Sequence, residues 1–261
     1  MTDRRAIVVL HDAGADDGGA PWGAALVAAG WPGAVHAPDL PGHGAAAAPT
    51  DGAYELVDAA LHALPLLAAL DGEPPVVLGV GANGWAAQLL AIGGRAAALV
   101  LVDGLGGPWL DPVQAIASDR TRLRAIIDDP AAVAAPPASG LDLRLAHGIG
   151  AQTSCDLAAR AAAALTVPTL VVSSPAAALA VGDRRDLLSH LADVTEVDVS
   201  DLAPAGVADE VVRWAGAQLE LAGRGARSPV SAGGDGGRAR GPGAGPADGA
   251  GTDRGGAGAG R

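Results

Sequence analysis

Short apolar runs alternate with stretches of helical character along most of this chain. Apolar runs cover residues 6–10, 76–80, 98–102 and 166–172, and further strands are predicted at 34–38 and at the more polar stretch 193–199. Continuous aliphatic and β-branched runs of this length predict strands that are buried on both faces. Because a helical stretch separates one run from the next, successive strands are expected to be parallel. The pattern therefore predicts an α/β fold with a doubly wound, mostly parallel sheet of about six strands.

The central apolar run ends in a glycine-rich turn. Residues 76–85 read Val-Val-Leu-Gly-Val-Gly-Ala-Asn-Gly-Trp and are followed by Ala-Ala-Gln-Leu-Leu-Ala, a helix-forming sequence. Two motifs combine a strand, a tight turn and a helix in this way: the nucleophile elbow G-x-S-x-G and the dinucleotide fingerprint G-x-G-x-x-G. Gly79, Gly81 and Gly84 match the second motif literally.

The segments before this turn match one known family in their order. The first strand is followed by His11, residues 30–31 read Gly-Trp before the second strand, and residues 39–44 read Asp-Leu-Pro-Gly-His-Gly after it. Together with the turn at 79–84, this opening resembles that of the α/β-hydrolases, and the resemblance extends over residues 6–221. It implies an α/β-hydrolase-like domain at residues 1–221, with a small helical cap insert at about residues 105–164 over the active site.

The positions that carry the catalytic triad in this family hold other residues here. Aligning the turn with G-x-S-x-G places Gly81 at the nucleophile, or Ala82 if the register shifts by one residue. Residues 173–176 read Ser-Ser-Pro-Ala where the family usually has Gly-x-x-Asp, and Leu202 stands near the position of the histidine. The resemblance therefore implies a divergent member that lacks the Ser, Asp and His of the triad, and no residue is assigned as catalytic.

Glycine at the elbow suggests that the turn is kept while its nucleophile is lost. The central residue of such an elbow has a strained backbone with positive φ, which glycine adopts without a steric penalty. Asn83 stands where the motif has its second glycine, and asparagine tolerates positive φ better than most residues do. The predicted degenerate elbow consists of Gly79, Gly81, Ala82, Asn83 and Gly84.

Several residues are placed to line a pocket beside this turn. In the family, the loop after the first strand supplies one amide of the oxyanion hole. His11, Asp12 and Ala13 lie in that loop, and the amide of Ala82 would supply the other donor. The Asp12 carboxylate would repel a developing oxyanion, and His11 is expected to anchor the loop. No metal site is predicted, because no pair of ligands stands at the required spacing with a third donor. The remaining pocket candidates are Trp85, Asp103 and Trp109.

Three functions remain open at this point. The first is a catalytically degenerate hydrolase-fold protein that binds a small ligand or a protein partner and needs no cofactor. The second is an active hydrolase or lyase of small ester-like substrates with rearranged groups such as His11 and Asp103, although a loop-turn role is favoured for Asp103. The third is an NAD- or FAD-binding domain, since Asp103 follows Gly84 by 19 residues, as the ribose-binding acid of the fingerprint would. The early loop motifs and the cap-like insert weigh against the third.

Composition separates residues 222–261 from the rest and limits the partners. These 40 residues include 15 Gly, six Arg and three Asp, which predicts a disordered tail. The net charge of the whole chain is −12, so the domain alone carries about −15, which opposes binding to nucleic acid or to an anionic membrane. Cys155 is the single cysteine. No signal peptide or membrane span is recognised, so a cytoplasmic protein is expected.

Overall fold

The described part of the chain forms a sheet of six parallel strands between two layers of helices. The computed structural model describes residues 5–13, 15, 17–49, 54–55, 57–106, 155–174 and 181–225. The strands are β1 (Ile7–Leu10), β2 (Val35–His36), β3 (Val76–Val80), β4 (Ala98–Val102), β5 (Thr169–Ser173) and β6 (Val194–Asp198). The helices are α1 (Ala20–Ala28), α2 (Asp58–Ala69), α3 (Gly84–Ile92), α4 (Cys155–Ala164), α5 (Val181–Ser189) and α6 (Pro204–Gly225).

The strand order is β2-β1-β3-β4-β5-β6, and every neighbouring pair is parallel. The predicted fold class, a doubly wound parallel α/β sheet, is confirmed. The chain moves outward in one direction from β1 and in the other from β3, so the loops after these two strands meet at the switch point of the sheet, where ligands bind in such folds. Leu10 pairs with Gly79, and this register brings the residues after β1 beside those after β3.

The apolar strands are buried because helices cover both faces of the sheet. Successive strand residues point to opposite faces, so β1, β3, β4 and β5 each contribute to two separate cores. On one face, Val8, Leu10 and Leu99 pack with α2, α3, α4 and α5. On the other face, Val9 and Val100 pack with α1 and α6. These five strand residues are fully buried, which explains why the runs lack the polar alternation of a half-exposed strand.

Strands β2 and β5 and the last helix differ most from their predicted bounds; β5 begins at Thr169 instead of residue 166. The sequence predicts a strand at 34–38, whereas only Val35 and His36 pair with β1. Pro38 has no amide hydrogen to extend this pairing. The family resemblance implies a closing helix at 207–221, and the observed helix begins at Pro204 and continues to Gly225. Proline is favoured in the first turn of a helix because no intrahelical bond needs its nitrogen there.

Most of the predicted cap insert lies outside the described residues. So do Trp109, residues 120–128, which the sequence predicts to be helical, and residues 226–261 of the tail predicted at 222–261. Residues 222–225 of that predicted tail are instead helical, as the end of α6. α4 ends this insert, and its Ala158 and Ala162 are buried in the same core cluster as residues of α3, so this part of the insert belongs to the helical layer on the sheet. None of the described helices combines the length and the apolar character needed to cross a bilayer.

Candidate functional site

The glycine-rich turn after β3 has the sharp backbone that an elbow requires. Gly81 has φ +52° and begins a short 3₁₀ turn, Gly81–Asn83, which leads directly into α3 at Gly84. The positive φ expected at Gly81 is therefore present. This conformation is unfavourable for residues with a side chain. At the point where a nucleophile would project, the turn carries no reactive atom.

Two other glycines of this turn are required by packing. A Cβ atom at Gly79 would lie 2.6 Å from the Cβ of Ala87, and one at Gly84 would lie 2.7 Å from the carbonyl carbon of Gly104. These positions bring α3 close to β3 and to the loop after β4. The literal G-x-G-x-x-G at 79–84 is thus explained by packing without a dinucleotide.

The carboxylate of Asp12 occupies the predicted oxyanion hole. Its Oδ1 accepts hydrogen bonds from the backbone amides of Ala13 at 2.8 Å and of Ala82 at 3.2 Å. The amide of Ala82 is one of the two predicted donors, and Ala13 lies in the loop predicted to supply the other. Preorganised donors stabilise a transition state only if they point at the oxygen on which charge develops. Here both of them already bind an oxygen of the protein itself.

Asp12 and Gly81 are sterically matched. A Cβ atom at Gly81 would overlap Oδ1 of Asp12 and lie 2.7 Å from its Cγ. The observed position of the Asp12 side chain is therefore compatible only with glycine at residue 81. The carboxylate takes up the space in which the side chain of an elbow nucleophile would begin.

Asn83 has a different role from the predicted one. Its φ is −76°, so the expectation that it uses its tolerance of positive φ is wrong. The 3₁₀ turn continues straight into α3, and only the first residue of the turn needs the left-handed conformation. The Asn83 side chain is buried, and its Nδ2 donates a hydrogen bond to the carbonyl oxygen of His11 at 2.6 Å. Asn83 therefore ties the elbow to the loop after β1.

His11 is fully buried and connects the loops after β1 and β2. Its Nε2 accepts a hydrogen bond from the amide of Leu40 at 3.1 Å, so the proton of the neutral ring lies on Nδ1, which donates to the carbonyl oxygen of Asp12 at 2.9 Å. Burial lowers the pKa of His11, although the hydrogen bond to the Asp12 carbonyl opposes this shift; the neighbouring His43 lowers the pKa further. With both nitrogens engaged, His11 is not free to act as a base.

The lowered pKa of His11 predicts a loss of stability in mild acid. Between the pKa of the folded state and the ordinary value of 6.5, the unfolded chain binds a proton at His11 that the folded chain does not. The free energy of unfolding therefore falls as the pH drops below about 6.5 and levels off below the folded-state pKa. Melting temperatures measured across this range should decline less steeply for His11→Asn than for the parent. His62 is exposed, so His62→Asn should keep the parental slope; equal slopes for both variants would contradict this role of His11.

The loop after β2 supports the same site from the other side. His43 is buried, its Nε2 donates to the carbonyl oxygen of Ala13 at 2.9 Å, and its ring meets that of His11 edge to face with 4.6 Å between the ring centres. Asp39 closes the loop by accepting a hydrogen bond from the amide of Ala45 at 2.9 Å. The Asp-x-Pro-Gly-x-Gly segment thus fixes the loop that carries Asp12.

Asp103 joins the ends of two neighbouring strands. Among the described residues it is the one non-glycine residue with positive φ, at +47°. Its Oδ1 accepts a hydrogen bond from the amide of Ser174 at 2.9 Å and its Oδ2 accepts one from the Ser174 hydroxyl at 2.8 Å. The sequence alone suggests no role for Ser174, because the missing acid falls at Ala176. The pairing could have been inferred from the fact that the two residues directly follow adjacent parallel strands.

Trp85 and Leu202 are both used in packing. Trp85 is predicted to line a pocket, but only 7% of it is exposed, and it packs against Ala82 of the elbow and Ala161 of α4. Leu202, near the expected histidine position, is partly buried against the core formed with α6. Leu202 is thus a core-packing residue at the position where the resemblance implies a histidine.

A small cavity lies beside the loop that carries Asp12. Its volume of about 20 Å³ is close to that of one water molecule, and its wall includes Ala13, His43, Tyr54 and Asn83 together with the acidic residues Glu55 and Asp58. A substrate-sized pocket would be far larger. No group of three or more His, Cys, Asp or Glu residues that could hold a metal ion occurs among the residues with a described position.

The Asp12 carboxylate also disfavours the binding of a dinucleotide at the glycine-rich turn. A pyrophosphate binds at the amides of a glycine-rich turn at the start of a helix. Here the amide of Ala82 is bound to the carboxylate of Asp12, and that negative charge would repel a phosphate group. The site therefore disfavours NAD and FAD despite the literal glycine match.

Comparison with solved structures identifies the fold. The enol-lactonase from Burkholderia xenovorans LB400 is 18% identical, with 84% of this chain and 92% of that chain covered and a TM-score of 0.61. The thioesterase domain from the curacin biosynthetic pathway is 15% identical, with 85% and 92% covered and a TM-score of 0.58. NosK from Streptomyces actuosus is 19% identical, with 87% and 100% covered and a TM-score of 0.57. No protein-family model and no curated protein sequence matches the chain. These likenesses concern the fold alone: the chain has the α/β-hydrolase fold.

Proposed function

We propose that this chain is an α/β-hydrolase-fold protein that does not hydrolyse esters and acts by binding a small ligand or a protein partner. One observation carries the proposal: Oδ1 of Asp12 accepts hydrogen bonds from the amides of both Ala13 and Ala82. Losing one donor of an oxyanion hole already lowers the rate of acyl transfer by about 100-fold to 1,000-fold. A site that uses both donors for its own carboxylate gives up this stabilisation.

The three triad positions support the same proposal. A serine attacks only when a histidine takes its proton and an acid orients that histidine. Gly81 has no side chain, Leu202 packs against the core, and the sequence Ser-Ser-Pro-Ala at 173–176 has Ala176 where the acid is usual. None of the three chemical roles is filled at its expected position.

The strained backbone of Asp103 favours the alternative of a hydrolase with rearranged groups, because strain of this kind is common at functional sites. Both oxygens of this carboxylate, however, accept hydrogen bonds from Ser174. His11, the other group of this alternative, has both ring nitrogens engaged. His11 offers no free base to a substrate, and the Ser174 hydrogen bonds give Asp103 a structural role, so the binding function is preferred.

Turnover of activated esters by highly purified protein tests the proposal. The panel contains p-nitrophenyl acetate, an acyl thioester and an enol-lactone, chosen from the names of the thioesterase and the enol-lactonase of similar fold. We expect no turnover above the buffer rate. Turnover above the buffer rate would contradict the proposal. Its loss in Asp103→Asn but not in Asp156→Asn, at an exposed acid of α4, would favour the hydrolase with rearranged groups.

A further inference from the structure

We infer that a proton on His11 separates the loop after β2, residues 39–46, from the loop after β1 and so opens the surroundings of Asp12 to solvent. The inference goes beyond the proposed function, because this control of access acts whichever ligand or partner the site takes. It follows from the different hydrogen-bonding needs of two buried histidines, from the charges around them and from the short pairing that attaches the loop after β2 to the sheet.

His11 fits between the two loops only as a neutral ring. Its Nε2 accepts a hydrogen bond from the amide of Leu40 at 3.1 Å, while its Nδ1 donates to the carbonyl oxygen of Asp12 at 2.9 Å. A charged ring carries a hydrogen on both nitrogens, so a proton on Nε2 would face the N–H of Leu40 and break this bond. Because His11 has no exposed surface, no water replaces the lost partner while the loops stay together. The charged ring therefore requires the loops to separate.

His43 differs from His11 in that acceptors surround its ring. Its Nε2 lies 2.9 Å from the carbonyl oxygen of Ala13, and its Nδ1 lies 3.2 Å and 3.3 Å from those of Pro41 and Leu40. A second hydrogen on this ring would meet a carbonyl oxygen and break no contact. A charge on His43 would also oppose one on His11, since the ring centres are 4.6 Å apart. The closed loops thus tolerate a proton on His43 and exclude one on His11.

The charged groups around the two rings set the direction of the pH dependence. Asp12 and Asp39 face His11 from the two loops, the elbow faces it with the uncharged Asn83, and the cavity wall that includes His43 also contains Glu55 and Asp58.

Burial has the largest effect on His11 and lowers its pKa, the hydrogen bond to the Asp12 carbonyl raises it, and His43 lowers it again. The Asp39 and Asp12 carboxylates raise it by smaller amounts, and the net shift is below the ordinary value of 6.5. The closed form therefore binds the proton more weakly than the open form does, so opening is favoured as the pH falls below about 6.5.

The loop after β2 can open without the rest of the sheet. It follows an edge strand that pairs with β1 through two residues, whereas β3 and β4 pair over five. Proteins open first where the fewest contacts must be broken. This loop also supplies Leu40, Pro41 and His43 to the wall of the small cavity, next to Ala13. Its displacement therefore exposes the cavity and the loop that carries Asp12.

Hydrogen–deuterium exchange of the full-length protein, from about pH 7.5 to about pH 5, tests this inference. Protection factors corrected for the intrinsic exchange rate are compared between residues 39–46 and the central strands at 76–80 and 98–102. We expect the protection of 39–46 to fall by up to about tenfold per pH unit below about 6.5, as linkage to one proton requires. The central strands should keep their protection over this range.

Two glutamine variants identify the group that takes up the proton. His11→Gln places an amide oxygen near the position of Nε2, where it can accept the hydrogen bond from Leu40, but glutamine does not titrate. The protection of 39–46 in this variant should therefore not change with pH. His62→Gln makes the same chemical change at an exposed position of α2 and should keep the parental pH dependence.

Three results would overturn the inference. The first is a protection of residues 39–46 that does not change with pH. The second is a simultaneous loss of protection in this loop and in the central strands, which would indicate unfolding of the whole sheet. The third is a parental pH dependence in His11→Gln, which would assign the proton to another group. If His11→Gln does not fold, the comparison of the loop with the strands in the parent protein decides.

Discussion

Gly81→Ser, the substitution that would return a nucleophile to the elbow, is expected to destabilise the protein by about 3 kcal/mol. A side chain at φ +52° costs about 1 kcal/mol. The new Cβ would also overlap the Asp12 carboxylate, and moving that carboxylate breaks its hydrogen bonds to two amides, which contributes about 2 kcal/mol. Urea denaturation of the parent and of the variant measures the difference in the free energy of unfolding.

Two further variants isolate the contact between residues 12 and 81. Gly94 also has positive φ, at +70°, but nothing lies within 4 Å of where its Cβ would be, so Gly94→Ser should cost only about 1 kcal/mol. The double variant Asp12→Gly, Gly81→Ser should be less destabilised than the sum of its single variants by about 2 kcal/mol, since contacting residues are not additive. Equal costs at Gly81 and Gly94, or strict additivity, would show that Asp12 does not exclude a side chain at residue 81.

The central strands could be predicted because their signal is local. Residues 76–80 and 98–102 are apolar throughout, and the structure has strands at Val76–Val80 and Ala98–Val102. A strand that is buried on both faces has no polar positions, so the ends of the apolar run in the sequence mark the ends of the strand. At the sheet edge this constraint is weaker, and β2 is accordingly shorter than the predicted 34–38.

The contacts that define the site could not be predicted in the same way, because they join distant parts of the chain. Asp12 and Ala82 are 70 residues apart, and Asp103 and Ser174 are 71 apart. Each pair meets because its two strands are neighbours in the sheet. The sequence places Asp12 near the oxyanion hole, but the direction of its side chain depends on the register of β1 and β3 and on the missing Cβ of Gly81.

The glycine spacing at 79–84 shows a second limit of sequence patterns. A glycine is required wherever a backbone must approach another group closely, whether that group is a phosphate or another segment of the protein. The dinucleotide fingerprint itself uses its third glycine for the packing of a helix. Gly79 and Gly84 therefore match the fingerprint because both folds pack a helix closely against a strand. Only the atoms next to these glycines distinguish the dinucleotide-binding fold from the fold seen here.

Gly84→Ala is expected to destabilise the protein by about 3 kcal/mol or to prevent its folding, although alanine is the better helix former. Gly84 has φ −57°, so its backbone conformation suits any residue. A Cβ atom there would overlap the Gly104 backbone, with the carbonyl carbon 2.7 Å away, and backbone cannot yield as a flexible side chain can. Overpacking of this kind costs about 1–3 kcal/mol or more. α3 would have to move away from the loop after β4, which also carries Asp103.

Gly216→Ala is the matched control, because it makes the same chemical change inside an exposed part of α6. Nothing lies within 4 Å of a Cβ at Gly216, so alanine should stabilise the protein by about 0.5–1 kcal/mol through its helix propensity. Thermal and urea unfolding of both variants should therefore give effects of opposite sign. A neutral Gly84→Ala would contradict the explanation that the close approach of α3 to the loop after β4 requires glycine at residue 84. A bound ligand that needs the same space would then be the better explanation for Gly84.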